Sequence, residues 1–176
     1  MANDSWRTPP EIFNYYNSRF NFSVDVAASD ENHLCARYIT EKQDALVTSW
    51  YQAGVNDGGY VWCNPPYSNP LPFVERCIYY SQQGIGSVIL VNHDMSVQWA
   101  RLIVKYASEL NIFIASGSKA DKTYRNGRIA FLDDGGKPVH GNSKGQFVAV
   151  IPPFSEGLSR PATHYIPLAD IVNENT

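Results

Sequence analysis

The stretch YVWCNPPYSN, residues 60–69, carries the strongest structural signal in the chain. Its first four residues are apolar or aromatic, as in a buried strand. Proline has no backbone N–H and cannot continue the hydrogen-bond ladder of a sheet, so the strand is predicted to stop just before Pro65. Because Pro65 and Pro66 both have a fixed φ, they predict a short, stiff arch with Asn64 at its start and Tyr67 at its end. A rigid arch of this kind is suited to holding a flat ligand.

Strands and helices alternate on both sides of the arch. Thr8 is predicted to cap the first helix, with Pro9 at its first position and Glu11 completing a capping box, and a short strand is predicted to end at Asp25. The remaining predicted helices cover residues 30–36, 71–82 and 95–107, and the remaining strands cover 37–40, 60–63, 87–92 and 110–115. Segments 127–132 and 146–151 flank a glycine-rich turn and are predicted to form a final antiparallel hairpin.

This alternation predicts an α/β fold with a mostly parallel, doubly wound, Rossmann-like sheet. Ligands of such sheets bind beyond the carboxyl ends of the strands. The rule brings three polar features to one edge of the sheet: Asp25, the region around Asp44, and the segment from Asn64 to Tyr67.

Composition predicts an ordinary single domain. The chain has 176 residues, of which 44% are hydrophobic and 18% charged, and we expect one domain over 1–176 with a core at about 6–153 and a polar tail at about 154–176. The net charge of −3 argues against a histone-like binder but not against an enzyme with a local basic surface.

No signal peptide or membrane-spanning run is visible, so we expect no membrane partner. The three cysteines and four histidines are scattered. They predict free thiols in a reducing cytoplasm and no metal site.

Five ordered motifs carry a resemblance to a known family. They are WRTPP near the start, DVAASDEN, DAL, WCNPPY and GRIAF. In this order they resemble the phage-type DNA adenine-N6 methyltransferase (Dam-like) family, from about Trp6 to the strand near Ile151. The resemblance implies a Rossmann-like methyltransferase fold, S-adenosylmethionine as cofactor, double-stranded DNA as substrate and the cytoplasm of a bacterial host as location. It leaves the oligomeric state open.

The resemblance also implies roles for the arch residues. The side-chain oxygen of Asn64 and the carbonyl of Pro65 each accept a hydrogen bond from the adenine N6 amine, and Pro66 adds no competing donor. Tyr67 stacks on the adenine face.

The cofactor side of the site rests on weaker motifs. The resemblance assigns Asp25 to the amino end of S-adenosylmethionine, and Asp44 to its adenine amine. It also brings Trp6, Thr8, Pro9, Ala27, Ser29 and Asn64 near the cofactor. Plain structural roles compete with each of these: Asp25 as a helix cap, Asp44 as a solvated loop acid, and Thr8 with Pro9 as a helix start. The small residues after Asp25 replace the glycines that a Rossmann-like loop usually carries.

The densest basic run lies between two predicted strands. It contains Lys119, Lys122, Tyr124, Arg125 and Arg128. We expect this run to contact DNA phosphates, although a solvated surface loop would also explain it, and Arg128 would equally fit a structural role.

Two other classes of function remain open at this point. One is a methyltransferase of the same fold that acts on an RNA base or a protein glutamine. The other is a nucleic-acid-binding relative without catalysis.

Overall fold

A computed structural model describes residues 4–117, 122, 124–139, 141–157 and 160–173, and a seven-stranded sheet forms its centre. The elements in chain order are α1 (Pro10–Phe20), β1 (Val24–Ala28), β2 (Tyr38–Thr40), β3 (Tyr60–Cys63), α2 (Leu71–Gln82), β4 (Gly86–Asn92), α3 (Gln98–Tyr106), β5 (Glu109–Ile114), β6 (Gln146–Ile151), β7 (Ala162–Pro167) and α4 (Leu168–Asn173).

The strands are arranged in the order β2-β1-β3-β4-β6-β5-β7. β6 is antiparallel to both of its neighbours, and the other adjacent pairs are parallel. The predicted mostly parallel, Rossmann-like α/β fold is therefore confirmed. Because six strands point the same way, their carboxyl ends meet at one edge of the sheet, which we call the carboxyl rim.

Two apolar layers cover the sheet. One contains the buried faces of α2 and α3, and the other contains those of α1 and α4. β4 lies between the layers, and its residues from Gly86 to Val91 are all buried. Burial on both faces explains why this strand has no polar alternation in its sequence.

The start of α1 differs from the prediction. The residue that caps the helix is Pro9, in an extended conformation and without a side-chain cap, and the first helical residue is Pro10. A residue before proline is pushed away from helical ψ, so Pro9, which precedes Pro10, stays outside the helix and takes the cap position. Thr8 therefore lies one position too early to act as the cap. The predicted capping box is therefore wrong, and Glu11 instead accepts a hydrogen bond from Tyr124 at 2.6 Å.

Three further local predictions were wrong. Residues 30–36 form bends with no helix, and β1 continues past Asp25 to Ala28. Segment 146–151 forms β6 as expected, but it pairs with β4 and β5. Segment 127–132 lies outside the sheet and makes isolated bridges through Leu132.

The residues after Pro153, which we expected to form a polar tail, include β7 and α4. β7 pairs in parallel with β5 over six residues. Leu168 and Ile171 of α4 are fully buried in the apolar layer of α1. Among the described residues, no helix is long and apolar enough to cross a membrane.

Candidate active site

The arch begins where β3 ends at the carboxyl rim. Asn64 follows Cys63 directly and is half-buried. Its side-chain oxygen is buried and has no hydrogen-bond partner within the described residues. An unpaired buried acceptor of this kind costs free energy, so its presence at the rim indicates a binding position for a donor.

Tyr67 closes the arch against an aromatic pair. Its ring lies 5.7 Å from that of Phe131 in an edge-on arrangement, and Phe131 is stacked on Trp6 at 5.7 Å. The Tyr67 hydroxyl is buried, without a partner among the described residues, and burial raises its pKa well above the usual value. Tyr67 is therefore a neutral phenol held by apolar contacts.

Residues 4–9, which we call the N-terminal strap, cross the arch. Both the backbone N–H and the hydroxyl of Ser68 donate to the Asp4 carboxylate, the former at 2.9 Å. Arg7 exchanges two backbone hydrogen bonds of 2.9 Å with Leu132. The strap thus ties the arch to the segment that contains Phe131, a connection that the sequence pattern did not predict.

Thr8 belongs to the strap and is 3% exposed. Its hydroxyl is buried and lacks a hydrogen-bond partner in the described part of the chain. The strap and the arch therefore contribute four such buried polar atoms without a partner among the described residues, on Arg7, Thr8, Asn64 and Tyr67.

Asp25 is at the second position of β1 and is 4% exposed. Its carboxylate accepts hydrogen bonds from the backbone N–H groups of Ala27, at 3.2 Å, and Leu34, at 3.1 Å. Burial raises the pKa of Asp25 to about 6, and these two hydrogen bonds oppose the rise. Asp25 therefore fixes the shape of the loop that follows β1, a contact that neither sequence interpretation had predicted.

That loop is compact. Ala27 is half-buried within β1, and the Ser29 hydroxyl accepts a hydrogen bond from the Asn32 N–H at 3.1 Å. The backbones of Ser29 and Asn32 also pair with each other. Small side chains leave the backbone of this loop open to close approach at the carboxyl rim.

Asp44 follows β2 and adopts a left-handed conformation with φ of 58°. Its carboxylate accepts a hydrogen bond from the Leu46 N–H at 2.9 Å, and its own N–H donates to Thr40. This turn fixes the direction of the half-buried Asp44 side chain.

The basic segment is only partly exposed. Lys119 lies outside the described residues, whereas Lys122, Arg125 and Arg128 are exposed. Tyr124 is half-buried and is anchored to α1 by its hydrogen bond to Glu11. The structure thus gives Tyr124 a structural contact in addition to the role that the sequence predicted.

Gly127 explains how this segment meets the sheet. A Cβ atom at this position would lie 2.4 Å from the carbonyl carbon of Ile114, at the end of β5. The backbone therefore packs directly on the carboxyl rim, which needs a glycine.

Gln146 is a residue that sequence reasoning missed. It is fully buried at the start of β6. Its amide oxygen accepts from the Ile129 N–H and from the Asn142 side chain, both at 3.1 Å. Its amide nitrogen donates to the side chain of Asn92, at 3.1 Å, and to the carbonyl of Lys144. Polar residues at a strand start are common in sequence, so no local signal identifies this network.

All three cysteines are free, as predicted, and the structure also buries them. A side-chain hydrogen bond joins Cys63 and Cys77. Burial, together with this hydrogen bond, raises the pKa of the Cys63 thiol well above the usual value. Among the described residues, no group of histidine, cysteine and acidic side chains could hold a metal ion.

Comparison with known proteins extends the similarity over nearly the whole chain. A family model described as DNA N-6-adenine-methyltransferase (Dam) matches residues 1–174. A DNA N-6-adenine-methyltransferase of Escherichia phage T1 is 33% identical over 174 residues, which cover 96% of this chain and 70% of that protein. A protein of the same description from Haemophilus phage HP1 is 34% identical over 154 residues, which cover 85% of this chain and 79% of that protein.

Proposed function

Since the chain belongs to the DNA N-6-adenine-methyltransferase (Dam) family, we propose that it transfers a methyl group from S-adenosylmethionine to N6 of an adenine in double-stranded DNA. The observation that carries this proposal is the buried, unpaired side-chain oxygen of Asn64 at the carboxyl rim. An adenine inside a duplex is out of reach of such an atom, so the target base is flipped out of the stack.

Asn64 and Pro65 act on the amine of the flipped base. The amide oxygen of Asn64 accepts one N6–H and the carbonyl oxygen of Pro65 accepts the other. Two acceptors favour a more pyramidal nitrogen, whose lone pair is then less delocalised into the ring and more nucleophilic. Neither Pro65 nor Pro66 has an N–H that would compete for the lone pair. The new N6–carbon bond would form as the bond between the methyl group and the sulfonium sulfur breaks. The sulfur would keep that electron pair and leave as the neutral thioether of S-adenosylhomocysteine, and the amine proton would be released to solvent.

Alignment supplies most of the rate in this scheme. The arch is stiff because of its two prolines, and the N-terminal strap holds its far end through Ser68. Holding the reacting atoms in line removes from the reaction step the entropy cost of bringing two free molecules into the reactive geometry. Tyr67 stacks on the adenine, which contributes about 1–3 kcal/mol of sequence-tolerant binding.

The residues at the rim fit S-adenosylmethionine, which supplies an electrophilic methyl group on a sulfonium when bound. Thr8 offers a buried hydroxyl without a partner in the described residues. Asp25 offers a carboxylate beside a compact loop and suits the cofactor's amino group, and Asp44 suits its adenine amine. Trp6, Pro9, Ala27 and Ser29 would complete this surface, with Asn64 between cofactor and target.

The exposed cations Lys122, Arg125 and Arg128 suit DNA as a partner. Lys122 and Arg125 suit its backbone, because exposed cations neutralise phosphates without reading sequence. We assign Lys119 and Tyr124 to the same surface. The phage origin of the relatives further supports action in the cytoplasm of a bacterial host.

The test is incubation of the protein with unmethylated duplex DNA and methyl-labelled S-adenosylmethionine, followed by mass spectrometry of the nucleosides. We expect label in N6-methyladenine. Asn64→Ala should lose at least about a hundredfold in turnover, as for loss of a key transition-state contact, and should still bind the cofactor. Asn69→Ala is the matched control, because this exposed asparagine follows the same arch, and it should retain turnover.

Label in RNA or in a protein glutamine, but not in DNA, would contradict the proposed substrate. DNA binding without transfer to any acceptor would instead favour the non-catalytic relative.

A further inference from the structure

A cleft opens beside the DNA-facing cations. It has a volume of about 130 Å³ and lies between segment 126–130 and the residues Val139, Gly141 and Asn142. Its walls include Lys122, Asn126, Arg128, Ala130, Val139 and Asn142. Cationic, amide and apolar groups are thus combined in one concave surface.

The walls of the cleft are held rigidly. Arg128 donates through Nη1 to the carbonyl oxygen of Asn142 at 3.1 Å, which ties one wall to the other. The Asn142 side chain donates to the Ile129 carbonyl and to Gln146, both at 3.1 Å. Gln146 in turn reaches Asn92 at the end of β4. Buried polar contacts therefore connect the cleft to the carboxyl rim.

Arg128 is preorganised for recognition. A guanidinium has five N–H donors in a planar fork, and the contact with Asn142 uses only part of this capacity. Fixing the side chain in advance lowers the entropy that binding costs. A residue held this way differs from a solvated surface cation, which suits a phosphate contact.

We propose that this cleft receives the edge of a base next to the target adenine, and that Arg128 reads a guanine there. A bidentate contact to O6 and N7 of guanine is the commonest specific pairing of arginine. Half-buried Ala130 and Val139 provide an apolar wall for the flat face of a base, which a phosphate would not need. The inference rests on the proposed function, because it takes DNA as the substrate.

The test compares three proteins on a pool of duplexes with random bases around a fixed adenine. They are the wild type, Arg128→Gln and Arg125→Gln. Arg125 is the matched control, because it is an exposed arginine of the same segment outside the cleft walls. The methylated products are sequenced, and thermal unfolding verifies that the exposed substitutions leave the fold intact.

The wild type should prefer guanine at one flanking position. Arg128→Gln should abolish that preference, with kcat/KM on guanine-containing sites reduced about tenfold to a hundredfold, the usual range for one bidentate base contact. Arg125→Gln should lower kcat/KM by the same factor on every sequence, whatever the flanking bases, and should reduce the salt dependence of kcat/KM.

A uniform loss with Arg128→Gln, or a wild type indifferent to guanine at every flanking position, would overturn the proposal. Methylation of DNA by the wild type in either case would leave the proposed function standing. If the wild type methylates nothing, the proposed function fails, and selection of bound duplexes from the same pool still decides the role of the cleft. Guanine enrichment that is lost in Arg128→Gln supports base recognition, and no enrichment refutes it.

Discussion

Asp25 shows how one buried carboxylate affects the whole protein. It is 4% exposed, and its two oxygens accept backbone hydrogen bonds, one from Ala27 near the end of β1 and one from Leu34 in the loop that follows. Burial disfavours its charged form more than these bonds favour it, so its pKa is raised to about 6 from an ordinary 3.8. The loop thus depends on a group that titrates in a mildly acidic range.

The first prediction follows from this pKa. A carboxyl whose pKa is raised by folding stabilises the protein fully below its unfolded pKa, and this contribution is lost as the pH rises through the folded value. The free energy of unfolding should therefore fall by roughly 3 kcal/mol between about pH 4 and pH 6 through Asp25 alone. Urea unfolding at several pH values measures this decline.

Asp25→Asn is the comparison. The substitution should flatten this part of the pH profile, since an amide does not titrate. At low pH, where Asp25 is protonated in the folded protein, it should also lower the stability, because the amide NH2 cannot accept a backbone hydrogen bond as the second carboxyl oxygen does. An unchanged pH profile in Asp25→Asn would refute the assignment.

At the scale of elements, the side chain of Gln146 holds several connecting segments in place at the carboxyl rim. The side chain of Gln146 makes four hydrogen bonds, to Ile129, Asn142, Asn92 and Lys144. Asn92 lies opposite Gln146 in the pairing of β4 with β6, whereas the other three partners lie outside the sheet. The position of segment 126–130 therefore depends on this side chain.

Gln146→Ala should lower the free energy of unfolding by about 1–3 kcal/mol, because it leaves buried donors and acceptors unpaired. The Ile129 amide should lose protection against hydrogen exchange more than the amides of β4 do. Gln82→Ala, at an exposed position in α2, is the control and should change neither quantity. Equal protection of Ile129 in both variants would count against the network.

The sequence pattern predicted the bounds of an element correctly where neighbouring residues in the chain determine its ends. α2 and β3 have the predicted bounds, since Pro70 and the prolines of the arch determine where they start and stop. The apolar spacing of α3 likewise gave a correct helix, with Ile103 fully buried.

Long-range contacts were beyond the sequence pattern. Several strands of similar composition could pair with β6. The glycine-rich turn before β6 suggested segment 127–132, whereas the partners are β4 and β5. In the site, the positions of Asn64 and Asp44 follow from strand ends, but the tie between Asp4 and Ser68 joins residues 64 positions apart. No local signal marks such a pair.

At the scale of the whole molecule, one sheet contains all seven strands, with β2 and β7 at its edges, so we propose that the chain is a single domain. β7 and α4 contribute Leu168 and Ile171 to the layer that also contains α1. Residues near the two ends of the described chain thus share one core. We expect a single cooperative unfolding transition.

Leu168→Ala should lower the stability of this unit by about 2–5 kcal/mol, as for other leucines removed from a packed core. The same transition, followed by fluorescence and by circular dichroism, should shift as a whole. Thr163→Ala, at an exposed position in β7, should cost less than about 1 kcal/mol. Two separate transitions, or equal effects of the two substitutions, would argue that the last elements form no part of the core.

The place of β6 has a consequence for synthesis on the ribosome. β6 lies between β4 and β5 in the sheet, yet it is translated after both. The nascent chain therefore carries an open, largely apolar β4 edge from the emergence of Asn92 until that of Ile151, 59 residues later. At 5–20 residues per second this interval lasts about 3 to 12 s. During it the chain is open to pairing with other strands, so slower translation of this stretch should favour aggregation over folding.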